Sequence, residues 1–211
     1  MRYILGVDNN LRMSDELMHK FWKLPKYVAF SGEVSEESAR KFREELETAE
    51  DSALASKQPI IPITIDTYGG SVYALLGMID AIKACSVPIA TIVESKAMSC
   101  GAVLFSFGAE GHRYVAPNAT VMIHSVAGGS ADKIHEVKSN TKELDRLNDK
   151  VFKEMSRNCG KPDDYFFDIL SKEKFMADWY LEPSECIRHN LANHVKVPSI
   201  NVSVKMDVNI G

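Results

Sequence analysis

Little in this chain points to metal, disulfide or cofactor chemistry. Its four cysteines, Cys85, Cys100, Cys159 and Cys186, are dispersed, with no CxxC pairing. In a chain this large they read as reduced thiols and not as a disulfide framework. There is no HExxH and no Cys/His cluster, and His189 and His194 stand apart on either side of a short segment. No metal and no other cofactor is therefore expected. No Lys/Arg run forms a basic patch, and a net charge of −4 argues against a nucleic-acid surface. Apolar runs are broken within about ten residues by Gly, Pro, Ser or charge, too short to span a membrane. The first residues lack the basic start, apolar core and small-residue cleavage site of a secretory signal. The expectation is a cytoplasmic chain with neither membrane nor nucleic acid as partner. No internal repeat or low-complexity tract is present, and 211 residues suit one domain with a substantial core.

What is present is an alternation of strand and helix patterns. A polar prelude, with a short helix expected around Asp15–Trp22, precedes a strand at Tyr27-Val28-Ala29-Phe30. Ser35 then reads as an N-cap, with Glu36 and Glu37 in the first turn and Ala39, Phe42, Leu46 and Ala49 on one helical face. The nearly continuous apolar run Pro59–Asp66 suits a strand covered on both faces. A turn is expected at Thr67-Tyr68-Gly69-Gly70, followed by a helix with Val72, Leu75, Leu76, Ile79 and Ile82 on one side. Strands are expected at Pro88–Val93 and Thr120–His124. Residues 132–158 form a long polar helix with a thin apolar stripe at Ile134, Val137, Leu144, Leu147, Val151 and Met155, suited to docking on a neighbour. Pro162 restarts a short helix, 175–181 is extended, and Pro183 opens a last helix to about His189. Such alternation argues for an α/β fold with largely parallel strands, whose C-terminal ends form the usual ligand site.

Three features fall at or just beyond those strand ends. Ser99 lies between the strand and an apolar helix-like run, Ala102 to Phe107. Free N–H groups and the helix dipole at such a turn favour negative charge, which suits a nucleophilic serine that builds an oxyanion beside itself. A plain N-cap is the alternative. His124 ends an apolar strand next to Gly128-Gly129 and is the best-placed base, unless it is an ordinary core histidine. Gly69-Gly70 lets backbone approach a ligand closely, or simply makes a tight turn. Lys96, three residues before Ser99, is a candidate partner for a Ser–Lys dyad or a solvated lysine, and Cys100 is a second candidate nucleophile.

Taken together, Asp66-Thr67-Tyr68-Gly69-Gly70-Ser71-Val72, Ala97-Met98-Ser99-Cys100-Gly101-Ala102 and Pro117–His124 resemble the three signature stretches of the ClpP family of Clp protease proteolytic subunits. Ser31-Gly32-Glu33-Val34 and Trp179–Cys186 resemble its opening and final segments, so the likeness runs over about residues 26–195. The resemblance implies a ClpP/crotonase-like superhelix of repeated ββα-type units with a projecting handle helix at 132–158. It divides the chain into an N-terminal segment 1–25, a peptidase domain 26–198 and a tail 199–211. It also implies a serine endopeptidase enclosed in homo-oligomeric rings, acting on polypeptides, with an AAA+ unfoldase as partner. Ser99 would be the nucleophile, His124 the base and Asp178 the orienting acid, with Asp168 and Glu173 as alternatives for the acid. The N–H groups of Gly70 and Cys100 would form the oxyanion hole, while Gly69, Gly128 and Gly129 would contact a substrate strand. Tyr68 stands where the family usually has proline, Cys100 where it has methionine, and Ser125-Val126 where a polar residue and proline often follow the histidine. A catalytically silent ring subunit is one competing reading. A crotonase-type acyl-CoA enzyme is another, although it needs no Ser/His/Asp set.

Overall fold

The computed structural model describes residues 3–5, 27–128 and 133–202. In chain order the strands are β1 (Tyr3–Leu5), β2 (Val28–Val34), β3 (Ile61–Gly70), β4 (Ile89–Met98), β5 (Arg113–Val115), β6 (Thr120–Ile123), β7 (Trp179–Leu181), β8 (His194–Val195) and β9 (Ile200–Val202). The helices are α1 (Glu36–Ser56), α2 (Val72–Ala84), α3 (Cys100–Phe105), α4 (Ile134–Asn158), α5 (Tyr165–Lys172) and α6 (Pro183–Arg188). The helix expected at Asp15–Trp22 and the expected site residue Gly129 lie outside the described residues.

β2, β3, β4, β5 and β8 are neighbours in that order in one parallel sheet. β4 forks: Thr91–Val93 pair with β5, whereas Lys96–Met98 pair with β6 on the same edge. β7 closes the branch as the one antiparallel neighbour, setting Ile123 opposite Trp179. Apart from this pile, β1 and β9 form a parallel pair, Tyr3 opposite Ile200. The chain thus has the mixed α/β architecture with a parallel sheet that the alternating pattern predicts, and it is consistent with the ClpP fold.

Local sequence explains the helix boundaries. Ser35 caps α1 by accepting from the Ser38 N–H at 3.2 Å, and the Ser38 hydroxyl accepts from the Ser35 N–H at 2.9 Å. This reciprocal pair satisfies two donors that the helix itself leaves free. Pro183 sits in the first turn of α6, where its missing N–H costs nothing. Buried residues Ala39, Phe42, Leu46, Ala49 and Ala53 line one face of α1, and Leu75, Met78, Ile79 and Ile82 one face of α2. All six residues of α3 are buried, so this short helix is apolar on every side because protein surrounds it. Truncating a large core side chain such as Phe42 or Phe105 to alanine is expected to cost about 3–5 kcal/mol.

Several elements are longer than the pattern suggests. Thr67–Gly70 is the end of β3 rather than a turn. It stays paired through irregularities in register, with Thr67 opposite Ala97 and Gly70 opposite Val34. β4 likewise continues past Val93 to Met98, because a second partner, β6, takes over from β5. In α4 only the C-terminal half packs on the core, through Leu147, Val151, Phe152 and Met155, while Ile134 is 71% exposed. Among the described residues no helix is long and apolar enough to cross a membrane, and no group of three or more His, Cys, Asp or Glu could hold a metal ion.

Candidate active site

Ser99 follows directly on β4 and opens α3. Its backbone, at φ 55 and ψ −119, lies outside the regions that L residues favour. Although it occupies the N-cap position, its hydroxyl makes no capping hydrogen bond. The Ser99 carbonyl instead accepts from the N–H groups of Ala102 and Val103, at 3.0 and 3.3 Å. A strained backbone of this kind costs about 1–3 kcal/mol, and it leaves the hydroxyl unused as a cap. The Ser99 N–H donates to the Met122 carbonyl at 2.8 Å, extending the β4–β6 ladder by one step. That register brings His124, two residues past Met122, to the neighbourhood of Ser99. Both line one open cleft, with Val72 and Leu75 of α2 and Val151, Phe152 and Met155 of α4 as its apolar walls.

The candidate acid Asp178 stands just before β7. Asp178 precedes Trp179, which stands opposite Ile123, so the antiparallel pairing aims the carboxylate at the histidine. Asp178 Oδ1 lies 3.9 Å from His124 Nδ1, an electrostatic contact longer than a hydrogen bond. Asp168 instead pairs with Lys172 one turn along α5, at 2.9 Å, and Glu173 ends that helix. Of the three acids singled out by sequence, Asp178 is the one set against the imidazole.

Gly69 is pressed against the serine. A Cβ built on it would lie 2.7 Å from Ser99 Cβ, and its φ of +106° is one that side chains rarely adopt. Cys100 turns its thiol toward the other glycine, donating from Sγ to the Gly70 carbonyl at 3.3 Å. Burial pushes that thiol's pKa above its ordinary value, so it stays protonated at neutral pH. As the first residue of α3, Cys100 has an N–H with no acceptor inside the helix. Lys96 is committed elsewhere: its ammonium donates to Asp66 Oδ1 at 2.6 Å and lies 4.4 Å from the centroid of the Tyr68 ring. The bond to Asp66 raises its pKa and keeps it charged, unlike the neutral lysine of a Ser–Lys dyad.

Residues 14–198 match the family model described as Clp protease. The chain belongs to the Clp protease family. It is similar to the ATP-dependent Clp protease proteolytic subunit 3, chloroplastic, of Arabidopsis thaliana, with 34% identity over 119 residues, covering 56% of this chain and 38% of that protein. It is also similar to the ATP-dependent Clp protease proteolytic subunit 1 of Rhodopirellula baltica (strain DSM 10527 / NCIMB 13988 / SH1), with 37% identity over 101 residues, covering 48% of this chain and 44% of the relative. Each match spans less than half the length of its curated relative. Membership of the Clp protease family sets aside the crotonase reading.

Two residues of this Clp-family site escaped the sequence pattern. Phe152 lies beside the thin stripe of α4 and not on it, yet it walls the cleft; the close apolar trio 151, 152 and 155 was the available signal. Asn148, whose Oδ1 accepts from the Val126 N–H at 3.0 Å, is one more polar residue on a polar helix and carried no signal. Gly128 is exposed at the end of a segment after His124 that pairs with no other strand among the described residues.

Proposed function

We propose that this chain is a serine endopeptidase that cleaves unfolded polypeptides by acyl-enzyme chemistry. The observation that carries the reading is the strained, uncapped Ser99 at the end of β4, beside His124, which in turn faces Asp178. In this mechanism Ser99 Oγ attacks the scissile carbonyl while His124 takes its proton. His124 then protonates the leaving amine, and Asp178 stabilises the transient imidazolium. The N–H groups of Gly70 and Cys100 receive the oxyanion. A 3.9 Å acid–base separation without substrate is compatible with this role, because such contacts commonly tighten in the reacting complex. The substrate adds as a strand along Ser125–Gly129, and the apolar cleft accepts a side chain next to the scissile bond.

The same reading has the chain, as peptidase domain 26–198 with flanking segments 1–25 and 199–211, assemble into closed homo-oligomeric rings. An AAA+ unfoldase would feed those rings. The half-projecting helix α4 supports the assembly. A reducing, cytoplasmic setting is supported by the free thiols of Cys85, Cys100, Cys159 and Cys186.

A fluorophosphonate probe tests the chemistry. The adduct should map to Ser99 by mass spectrometry, vanish in Ser99→Ala and persist in Cys100→Ala. Peptide hydrolysis should fall by roughly 10³-fold or more in Asp178→Ala and stay near the parent in Asp168→Ala. An assembled particle that takes up no probe would instead be a catalytically silent ring subunit. An inactive Asp168→Ala beside an active Asp178→Ala would overturn the choice of acid.

A further inference from the structure

The segment after His124 leaves β6 and pairs with no strand among the described residues, so something else must hold it in place. That holder is α4. The Asn148 side-chain carbonyl, Oδ1, accepts a hydrogen bond from the Val126 backbone N–H at 3.0 Å. Val126 is half-buried against the core, and Asn148 is half-buried on the adjoining turn of the helix. One turn earlier on the same face, Leu144 lies under Gly128: a Cβ built on Gly128 would come within 2.9 Å of Leu144 Cδ2. Leu147, Val151 and Met155, on neighbouring turns, are buried in the core and fix the helix itself. The Val126 amide is thus bound to a side chain on a helix whose neighbouring residues are buried in the core.

We infer that Asn148 is a positioning residue, which sets the height and tilt of residues 125–128 so that their free backbone edge can receive a substrate strand. The inference rests on the peptidase reading above for its substrate, and on the Val126–Asn148 bond for its geometry. An N–H held toward α4 at Val126 turns the Ser125 carbonyl, trans to it in the same planar peptide unit, the opposite way and so restricts how the adjoining groups can lie. A peptide that adds by strand pairing meets those groups in register only while the bond persists. A small covalent probe of Ser99 needs no such pairing.

The experiment compares the full chain with Asn148→Leu, similar in size but without an acceptor, and Asn148→Asp, whose carboxylate still accepts from an N–H. In Asn148→Leu, KM for an unstructured peptide should rise about tenfold with kcat changed less than twofold, the cost expected of a lost, partly buried hydrogen bond. Fluorophosphonate labelling of Ser99 should proceed at the parental rate. Amide hydrogen exchange in peptides covering 124–128 should speed up about tenfold in Asn148→Leu and stay slow in Asn148→Asp, which should also restore KM. An unchanged KM in Asn148→Leu would overturn the inference, as would a labelling rate that fell together with peptide turnover. A parent chain that neither labels nor hydrolyses would count against the peptidase reading alone. Exchange at 124–128 would then still decide whether Asn148 holds the segment, and parental protection in Asn148→Leu would sink the idea.

Discussion

Replacing Gly69 by alanine should separate catalytic geometry from backbone strain, because a matched control exists in the same sheet. Gly69 and Gly32 have similar φ angles, +106° and +96°. Placing an L side chain in the left-handed region costs about 1–2 kcal/mol at either position. At Gly32 a new Cβ meets nothing within 4 Å, so strain is the whole effect. At Gly69 it meets Ser99 Cβ at 2.7 Å and the Met98 carbonyl at 3.0 Å, against an ordinary contact distance of 3.4–4 Å. Relief requires Gly69 and Ser99 to part by about 1 Å, and overpacking of this kind adds about 1–3 kcal/mol. With about 2–4 °C of Tm per kcal/mol at this chain length, Gly32→Ala should melt about 2–8 °C below the parent and Gly69→Ala about 4–20 °C below. The decisive readout is chemical. A misplacement of about 1 Å can cost about 100-fold in rate. Fluorophosphonate labelling of Ser99 in Gly69→Ala, measured well below both melting points, should therefore fall by about that factor. Gly32→Ala should label like the parent. Labelling of Gly69→Ala within threefold of Gly32→Ala would refute the claim that this glycine holds the nucleophile in place.

Lys96→Met tests the dyad alternative. With its ammonium bound to Asp66, Lys96 is not the serine's base, so the variant should hydrolyse peptide within a few-fold of the parent; loss of activity with Ser99 intact would argue for a dyad. His189 provides a pH signature. Its ring lies edge-on to Trp179 and near Phe166, and its Nδ1 is 2.9 Å from the Tyr165 hydroxyl. Burial depresses its pKa below the ordinary 6.5, with Arg188 and Lys161 adding to the shift and Glu185 and Glu173 opposing it. Below about pH 6.5 the unfolded chain takes up a proton that the folded chain resists. The stabilisation is therefore full above that pH and is lost as pH falls through the folded pKa. Between pH 7 and 5, Tm should fall less steeply in His189→Phe than in the parent, and parallel curves would show that His189 contributes nothing.

The parts of the molecule legible in the sequence are those set by local pattern. Ser35 as a cap, the faces of α1 and α2, the strand at Ile61–Ile65 and the position of Pro183 all follow from side-chain periodicity and terminal chemistry. What stayed hidden depends on partners far along the chain. The end of β3 resembles a turn because Gly69 and Gly70 are turn residues, yet pairing to β2 and β4 holds it extended. The short strands β5 and β8 are too brief to show a period. Arg113, which no local pattern marks, is buried with its guanidinium on the carbonyls of Gly108 and Asn190. Phe175 and Met176 break the expected extension of 175–181 with φ values of 52 and 63. At the site, residue types and strand ends pointed to Ser99 and His124, whereas Asp178 came in only through the family resemblance. The strain at Ser99, the contact with Gly69 and the hydrogen bond that Asn148 accepts from Val126 arise only once the elements pack.

The fork in β4 has a consequence for how the chain tolerates insertions and deletions. β5 and β6 lie one after the other along the same edge of β4, and only Ala116–Ala119 separate them. One residue more or less in that connection would slide β6 by about 3.3 Å and turn its side chains to the opposite face of the sheet. His124 would leave the neighbourhood of Ser99 even though both residues were kept. The length of those four residues is thus as much a part of the candidate site as the identities of the serine and the histidine, and a homologue with an indel there would no longer hold the two side by side.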